Sequence, residues 1–171
     1  MKRIFNGLRN IKQKIYLKYN FRADNVAYRG NYGVDITSKV NLGGYKSNTN
    51  YFIYVDLKNF RVNIFIKKNN KWFLEKTYLC TIGKPKTPTI TGDFRVGAKG
   101  LYFGVNRGYK CYYYTQIKGN YLFHSIIYNL DGSIRDGRLG MKLSDGCIRL
   151  AKENAKWLWD NVTIGSAIHI E

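Results

Sequence analysis

The sequence from Tyr51 onward is dominated by short strand-like runs that follow one another with few residues between them. The segments YFIYVDL and RVNIFI are separated by KNF, and a third run, WFLEKTYLCTIG, follows the turn-like segment KKNNKW. β-Branched and aromatic residues favour strands, whereas glycine and asparagine favour tight turns. Two more runs, KCYYYTQI and YLFHSII, flank Gly119-Asn120, which is typical of a two-residue hairpin. We therefore predict a mainly β fold.

Length and composition are those of one folded domain. The chain has 171 residues, of which 44% are hydrophobic and 16% aromatic, and only two prolines. This length suffices to bury a core, and the apolar content argues against a disordered chain. The segment AKENAKWLWDNV predicts a helix, and SAIHIE predicts a closing strand. We expect residues 51–171 to form a single mixed β-sheet sandwich or barrel with one or two helices.

Residues 1–50 are expected to form a basic N-terminal extension or linker. Residues 1–30 hold eight basic residues and one acidic residue. Apolar residues at helical spacing in the first twenty positions predict a basic amphipathic helix, which packs on its own domain or rests on an anionic membrane surface. Residues 20–50 are rich in glycine and asparagine and predict a loop-dominated lead-in. No secretory signal and no segment long enough to span a bilayer are visible.

The charge of the chain draws it towards polyanions. The sequence has 29 basic and 11 acidic residues, a formal net charge of +18. Nucleic acid, anionic lipid and anionic cell-wall polymers all fit such a field, and charge alone does not choose among them. Because the sequence has no recognised nucleic-acid-binding signature, we do not expect a nucleic-acid partner.

The three cysteines cannot all pair with one another, and their spacing fits no zinc pattern. With only two histidines in the chain, a structural metal site is not expected. Cys80 and Cys111 lie in aromatic and apolar runs, where a free cysteine is typically a small buried hydrophobe. Cys147 differs, because the segment SDGCIRL places it on a tight polar turn before a helix.

A nucleophilic role for Cys147 needs a base, because the thiolate is the reactive form of cysteine. The two candidates are His124 and His169. His169 lies in the closing strand on the face opposite its isoleucine neighbours and is predicted to be a surface residue. His124 lies between apolar neighbours in YLFHSII and is the better candidate, although contact with Cys147 does not follow from sequence spacing. A Cys–His pair of this kind is typical of acyl transfer.

Four segments together resemble the L,D-transpeptidase catalytic domain, the YkuD family. SDGCIRL is similar to the family signature Ser/Thr-His-Gly-Cys followed by an apolar residue and then Asn or Arg. TPTITGDF resembles the Thr-Pro-x-Pro-x-Gly-x-Phe loop, FHS the upstream histidine segment, and DGSIRDGRLG a loop between these segments. The resemblance covers residues 51–171, and the combination is specific where each piece alone is weak.

The resemblance implies a role for each matching residue. Cys147 matches the nucleophile, His124 the histidine that activates it, and Ser125 the position whose backbone carbonyl orients that histidine. Gly146, with Ser144 and Asp145, belongs to the turn that supplies oxyanion donors and contacts the substrate. Arg149 stands at the Asn/Arg position, where its cation binds a stem-peptide carboxylate or braces the turn.

The activity implied by the resemblance is a peptidoglycan L,D-transpeptidase of the cell envelope, inhibited by carbapenems. The thiolate attacks the carbonyl before the terminal D-alanine of a tetrapeptide stem, and the thioester passes to a neighbouring stem amine, which gives a 3→3 cross-link. No metal or organic cofactor is needed. Stem peptides are the expected partners, with anionic wall polymers as further candidates.

Asp145 departs from the family, which usually has histidine there. A carboxylate beside Cys147 should raise the pKa of the thiol unless a cation compensates, and we hypothesise that Asp145 pairs with Arg149. Three other readings stay open: an L,D-carboxypeptidase that uses water as acceptor, a catalytically impaired wall-binding relative, and, less well supported, a sortase-like transpeptidase. We expect the site to open where residues 83–92, residues 129–140 and the Cys147 turn converge.

Overall fold

A computed structural model describes residues 32–171 of the chain. The amphipathic helix predicted for the first twenty residues lies outside the described residues. Within 32–171 there are two α-helices, α1 (Tyr32–Leu42) and α2 (Lys152–Asn161), and one 3-10 turn, Val105–Arg107. The strands are β1 (Tyr51–Asp56), β2 (Arg61–Lys68), β3 (Lys71–Leu79), β4 (Ile82–Gly83), β5 (Gly92–Arg95), β6 (Lys99–Phe103), β7 (Lys110–Lys118), β8 (Tyr121–Ser125), β9 (Ile127–Tyr128), β10 (Ile134–Asp136), β11 (Lys142–Ser144), β12 (Ile148–Leu150) and β13 (Ala167–Ile170). The predicted mainly β fold is confirmed.

The first sheet has five strands in the order β3-β2-β1-β13-β5. The closing strand β13 lies parallel to β1, and the other neighbours are antiparallel. The hairpin between β2 and β3 turns at Asn69 and Asn70, both of which have positive φ. Asparagine tolerates this conformation better than most residues, which explains why the KKNNKW segment forms the predicted turn.

The second sheet carries the order β10-β9-β7-β8-β12, and β6 pairs with β7. The predicted hairpin at Gly119-Asn120 joins β7 to β8, with Lys118 opposite Tyr121. Strand β12 lies parallel to β8, and a small parallel pair, β11 with β4, leads into it. Strand β6 was not predicted, because its sequence KGLYF begins with lysine and glycine and has no alternating apolar pattern.

The main core lies between the two sheets and under helix α2. Its fully buried members come from both sheets and the helix: Ile53, Val55, Val62, Ile64, Phe123, Ile148, Leu150, Leu158 and Ile168. The ammonium of Lys99, the first residue of β6, donates to the carbonyls of Trp159 (2.6 Å) and Val162. These are carbonyls at the end of α2 that have no partner within the helix, so Lys99 satisfies them and ties β6 to the helix.

Helix α1 covers the outer face of the first sheet. Ile36 and Val40 of the helix pack on a second apolar cluster formed by side chains of β1, β2 and β3: Phe52, Tyr54, Phe65, Trp72 and Leu74. The Asn41 side chain extends the edge of β3, because it accepts from the Trp72 amide and donates to the Trp72 carbonyl, each at 2.9 Å.

The expectation of a loop-dominated segment was wrong for residues 32–42. The helix contains glycine and several β-branched residues, which have low helix propensity, so packing on the sheet stabilises it.

The expectation that His169 is a surface residue was also wrong. Its side chain is 17% exposed. The imidazole ring stacks against the Tyr54 ring and also contacts the Tyr45 ring. Tyr45 belongs to the segment after α1, which covers the His169 side of the sheet, and the sequence did not predict this packing.

Among residues 32–171, no helix combines the length and apolar character needed to cross a membrane.

Replacing Ile36 with alanine should lower the free energy of unfolding by about 2–4 kcal/mol, because the side chain is 5% exposed and fills the second cluster. The matched control is Leu42→Ala in the same helix, where the side chain is 88% exposed and the change should stay within about 0.5 kcal/mol. Urea denaturation measures both values. Equal effects of the two substitutions would contradict the placement of α1 on the sheet.

Candidate active site

The parallel pairing of β8 with β12 places the candidate residues on one face. Arg149 is in register with His124, and Ile148 with Phe123. Cys147 directly precedes β12, and the alternation of side chains along a strand predicts that it lies on the same side as Arg149 and His124. All three line one cavity of about 780 Å³, a volume typical of small-molecule and peptide sites.

His124 is held in one tautomer by its neighbour. Its side chain is buried, and Nδ1 lies 2.6 Å from the backbone carbonyl oxygen of Ser125. A carbonyl oxygen only accepts, so Nδ1 carries the proton and the neutral ring keeps a free lone pair on Nε2. Burial, together with the charge of Arg149, lowers the pKa of His124 to about 4. The ring is therefore a neutral base at neutral pH. Phe103 packs edge-to-face against it, with 5.1 Å between ring centroids.

Ser125 anchors the backbone at the point where β8 ends. Its hydroxyl accepts from the Tyr112 amide at 2.8 Å and donates to the Ile126 carbonyl at 2.6 Å. Tyr113 of β7 has a φ of 55°, a conformation that is rare for a bulky residue. Before Tyr113, β7 pairs with β9, and after it β7 pairs with β8. The two hydroxyl bonds thus hold Ser125, the residue whose carbonyl contacts His124, against β7.

Cys147 is a free thiol with intermediate exposure. Its Sγ donates to the carbonyl oxygen of Asn120 in the β7–β8 turn, at 3.2 Å. Burial raises the pKa of the thiol, and the Asp145 carboxylate raises it further, whereas the Leu122 amide and the Arg149 charge oppose this shift. At neutral pH the Cys147 thiol and the His124 imidazole, which line the same cavity, are therefore both uncharged.

The turn from Ser144 to Cys147 is closed by the Ser144 side chain. The hydroxyl donates to the Cys147 carbonyl at 2.5 Å and accepts from the Gly146 amide at 3.2 Å. Gly146 has a φ of 108°, and a Cβ there would lie 2.6 Å from the Tyr121 ring, so this position requires glycine. Ser144 therefore shapes the turn, and its hydroxyl is used within it.

The threonine–proline loop lies behind this turn and braces it. The buried Thr89 hydroxyl accepts from the Gly83 amide and donates to the Gly146 carbonyl, both at 2.9 Å. The Ser144 carbonyl accepts from the Lys84 amide at 2.9 Å. These bonds fix the backbone of the turn that carries Cys147.

Asp145 does not pair with Arg149, so the hypothesis drawn from the sequence was wrong. The Asp145 carboxylate lies 2.5 Å from the ammonium of Lys84. Arg149 instead binds Asp136, with Nη1 and Oδ2 3.0 Å apart, and Asp136 is also held by Arg138 at 2.9 Å. These arginines lower the pKa of Asp136 to about 2. Arg149 thus joins β12 to β10 through Nη1, and both roles suggested for it from the sequence stay predictions.

The walls of the cavity differ from the expectation. The segments 83–92 and 129–140, which were expected to converge at the opening, contribute no lining residue: the first supports the turn from behind, and the second supplies Asp136. The lining instead includes a long stretch around the 3-10 turn, from Tyr102 to Arg107 with Tyr109. We call residues 99–109 the β6 arm.

Four residues around the site were not identified from the sequence: Lys84, Thr89, Arg107 and Asp136. Thr89 lies in the recognised TPTITGDF segment, so the motif pointed to its neighbourhood. Nothing in the sequence pairs Asp136 with Arg149 or Lys84 with Asp145, because these contacts depend on long-range folding. Among residues 32–171, no group of three or more histidine, cysteine or acidic side chains could hold a metal ion.

Residues 50–170 match the family described as the L,D-transpeptidase catalytic domain, YkuD. A search of curated proteins finds no match. A solved structure from Clostridium acetobutylicum, named as a fused Zn-dependent amidase/peptidase/peptidoglycan-binding domain-containing protein, is 40% identical, with a TM-score of 0.70. The alignment covers 88% of this chain and 67% of that one.

Two further solved structures share the fold. An L,D-transpeptidase from Mycobacterium smegmatis is 20% identical with a TM-score of 0.57, and the match covers 71% of this chain and 58% of that one. An L,D-transpeptidase solved in complex with imipenem is also 20% identical, with a TM-score of 0.56 and coverage of 71% and 59%. This chain thus spans less than two thirds of either L,D-transpeptidase.

The low pKa of His124 makes the stability of the fold depend on pH. The histidine in the unfolded chain takes up a proton near pH 6.5, whereas the folded chain resists protonation down to about pH 4. The contribution of neutral His124 is therefore complete above pH 6.5 and is lost as the pH falls to 4, by about 3 kcal/mol. Urea denaturation of the wild type and of His124→Gln across this range measures the difference. Parallel pH dependences of the two proteins would contradict it.

The Lys84–Asp145 pair should tune the reactivity of Cys147. Asp145→Asn removes a charge that raises the pKa of the thiol, so alkylation by iodoacetamide at pH 7 should become about two- to fivefold faster. Lys84→Ala leaves Asp145 uncompensated and should slow alkylation by a similar factor. Mass spectrometry of the modified Cys147 peptide gives the rates.

The control is Lys86→Ala, which removes an exposed lysine two residues further along the same loop and should leave the rate unchanged. If all three variants reacted at the wild-type rate, Asp145 and Lys84 would have no influence on the thiol.

Proposed function

Because the chain belongs to the L,D-transpeptidase catalytic domain (YkuD) family, we propose that it is a cysteine-dependent acyltransferase that acts on peptidoglycan stem peptides. The observation that carries the proposal is the pairing of a buried, neutral His124, whose Nε2 is free, with the Cys147 thiol in one cavity. Its place of action is the cell envelope, where the substrate lies.

In the acylation step, Nε2 of His124 takes the proton from Cys147, and Sγ attacks the carbonyl before the terminal D-alanine of a tetrapeptide stem. The thiol first leaves its hydrogen bond to the Asn120 carbonyl. When the tetrahedral adduct collapses, the carbon–nitrogen bond breaks, and the imidazolium returns its proton to the departing amine of D-alanine. The product is a thioester on Cys147 and free D-alanine.

In the transfer step, a side-chain amine of a neighbouring stem attacks the thioester carbonyl. His124 accepts a proton from that amine, the carbon–sulfur bond breaks, and the thiolate is reprotonated from the imidazolium. The result is a 3→3 cross-link and the original enzyme. With water in place of the amine, the same steps give an L,D-carboxypeptidase.

The surrounding charges support a working nucleophile in spite of Asp145. Arg149 and the Leu122 amide favour the thiolate that forms during the reaction. The charge of Asp145 is compensated by Lys84 at 2.5 Å, although exposed pairs of this kind interact weakly. These contacts favour a catalytic domain over an impaired wall-binding relative.

Incubation with imipenem should give a covalent adduct on the intact wild-type protein, detected by mass spectrometry. Cys147→Ala should show no adduct, because the nucleophile is gone. His124→Gln should acylate at least about a hundredfold more slowly, because the general base is lost.

The matched control is Cys111→Ala, which removes the other thiol that lines the cavity. Burial raises the pKa of the Cys111 thiol to about 12, so it is unreactive and the control should acylate like the wild type. Release of D-alanine from a tetrapeptide, with and without an acceptor amine, then separates cross-linking from hydrolysis. A folded wild type without adduct and without D-alanine release would refute the proposal.

A further inference from the structure

The charged residues that line the cavity are Arg107, Asp145 and Arg149. Two of them are neutralised by partners outside the lining. Arg149, whose side chain is 11% exposed, binds Asp136 at 3.0 Å, and Asp145 binds Lys84 at 2.5 Å. Among the described residues, Arg107 makes no ion pair and no side-chain hydrogen bond. The cavity therefore carries one cation that is not compensated.

The backbone that carries Arg107 is well fixed. Arg107 closes the 3-10 turn by donating its amide to the Gly104 carbonyl at 2.8 Å. Gly104 has a φ of 94°, and a Cβ there would lie 2.3 Å from the Tyr109 ring, so the ring packs closely on the turn. Arg135 donates to the Gly108 carbonyl at 3.3 Å and lies over the Tyr109 ring at 6.0 Å. Arg135 thus holds the β6 arm, whereas the guanidinium of Arg107 is free for a ligand.

We propose that Arg107 binds the C-terminal carboxylate of the donor peptide and so makes the enzyme selective for stems that end in a free acid; this inference rests on the proposed function. In that reaction the terminal residue is the leaving group, and its carboxylate lies only two atoms beyond the scissile nitrogen. A substrate attacked by Cys147 therefore places a negative charge inside the cavity that Arg107 lines.

The chemistry of the two groups matches. A guanidinium presents a planar fork that binds a carboxylate through two parallel hydrogen bonds. Among the described residues that line the cavity, no other cation competes, because His124 is neutral and Arg149 is bound to Asp136. Arg107 is in this sense a specificity-determining residue.

The test compares two tetrapeptide donors that differ only in their C-terminus, one a free acid and the other a carboxamide. Release of the terminal residue, followed by mass spectrometry, gives kcat/KM for each. The wild type should prefer the acid by about tenfold or more, as expected for a charge-assisted pair. Arg107→Gln should lose this preference because the acid reacts more slowly, with the amide changed less than about threefold. Arg107→Lys should recover part of it.

The matched control is Arg95→Gln, which removes the same charge from β5 on the other sheet, away from the cavity. It should keep the wild-type preference for the acid. If the wild type showed no preference, or if Arg107→Gln kept it, the inference would be wrong and the proposed function would stand. If neither peptide reacted and imipenem gave no adduct on Cys147, both would fail.

Discussion

The hydrogen-bonded alignment of β8 with β12 is the constraint on which the site depends. It sets Arg149 opposite His124, and Cys147, which directly precedes β12, lines the same cavity as both. Because side chains alternate along a strand, a shift by one residue would turn one of these groups into the core. The surrounding contacts serve this alignment: Thr89 holds the Cys147 turn from behind, and Ser125 fixes the end of β8.

The electrostatics of the site follow from burial and from pairing. Burial keeps the His124 imidazole uncharged. Burial and Asp145 raise the pKa of the Cys147 thiol, whereas the Leu122 amide and Arg149 lower it, so these effects partly cancel. Arg149 and Asp145, which line the cavity, are each paired with a residue of another segment, Asp136 for Arg149 and Lys84 for Asp145. In a chain with a formal net charge of +18, these two charged groups of the candidate site are thus both paired, and among the described lining residues Arg107 alone is left uncompensated.

Features that depend on local sequence could be predicted. The hairpin at Gly119-Asn120 and helix α2 follow from turn chemistry and helical periodicity, and the singular position of Cys147 follows from its polar turn. The prediction that His124 is the base followed from the scarcity of histidines and from the resemblance to a family. Its tautomer did not, because that depends on a bond to the Ser125 carbonyl.

Features that depend on distant segments could not be predicted. The Asp145–Arg149 pairing was inferred from closeness in sequence, but the turn directs Asp145 towards Lys84, 61 positions earlier in the chain. The β6 arm has no clear strand pattern, and its place beside the cavity is set by pairing with β7. The guanidinium of Arg107 was therefore not considered as part of the site.

Helix α1 shows that the folding unit is larger than the segment shared with the family. The family match begins at residue 50, yet the helix at 32–42 shields the aromatic outer face of the first sheet. A protein shortened to the shared segment would present Phe52, Phe65 and Trp72 to water on one contiguous surface. Such a surface favours self-association, so a protein that keeps residues 32–49 should aggregate less than one that begins at residue 50.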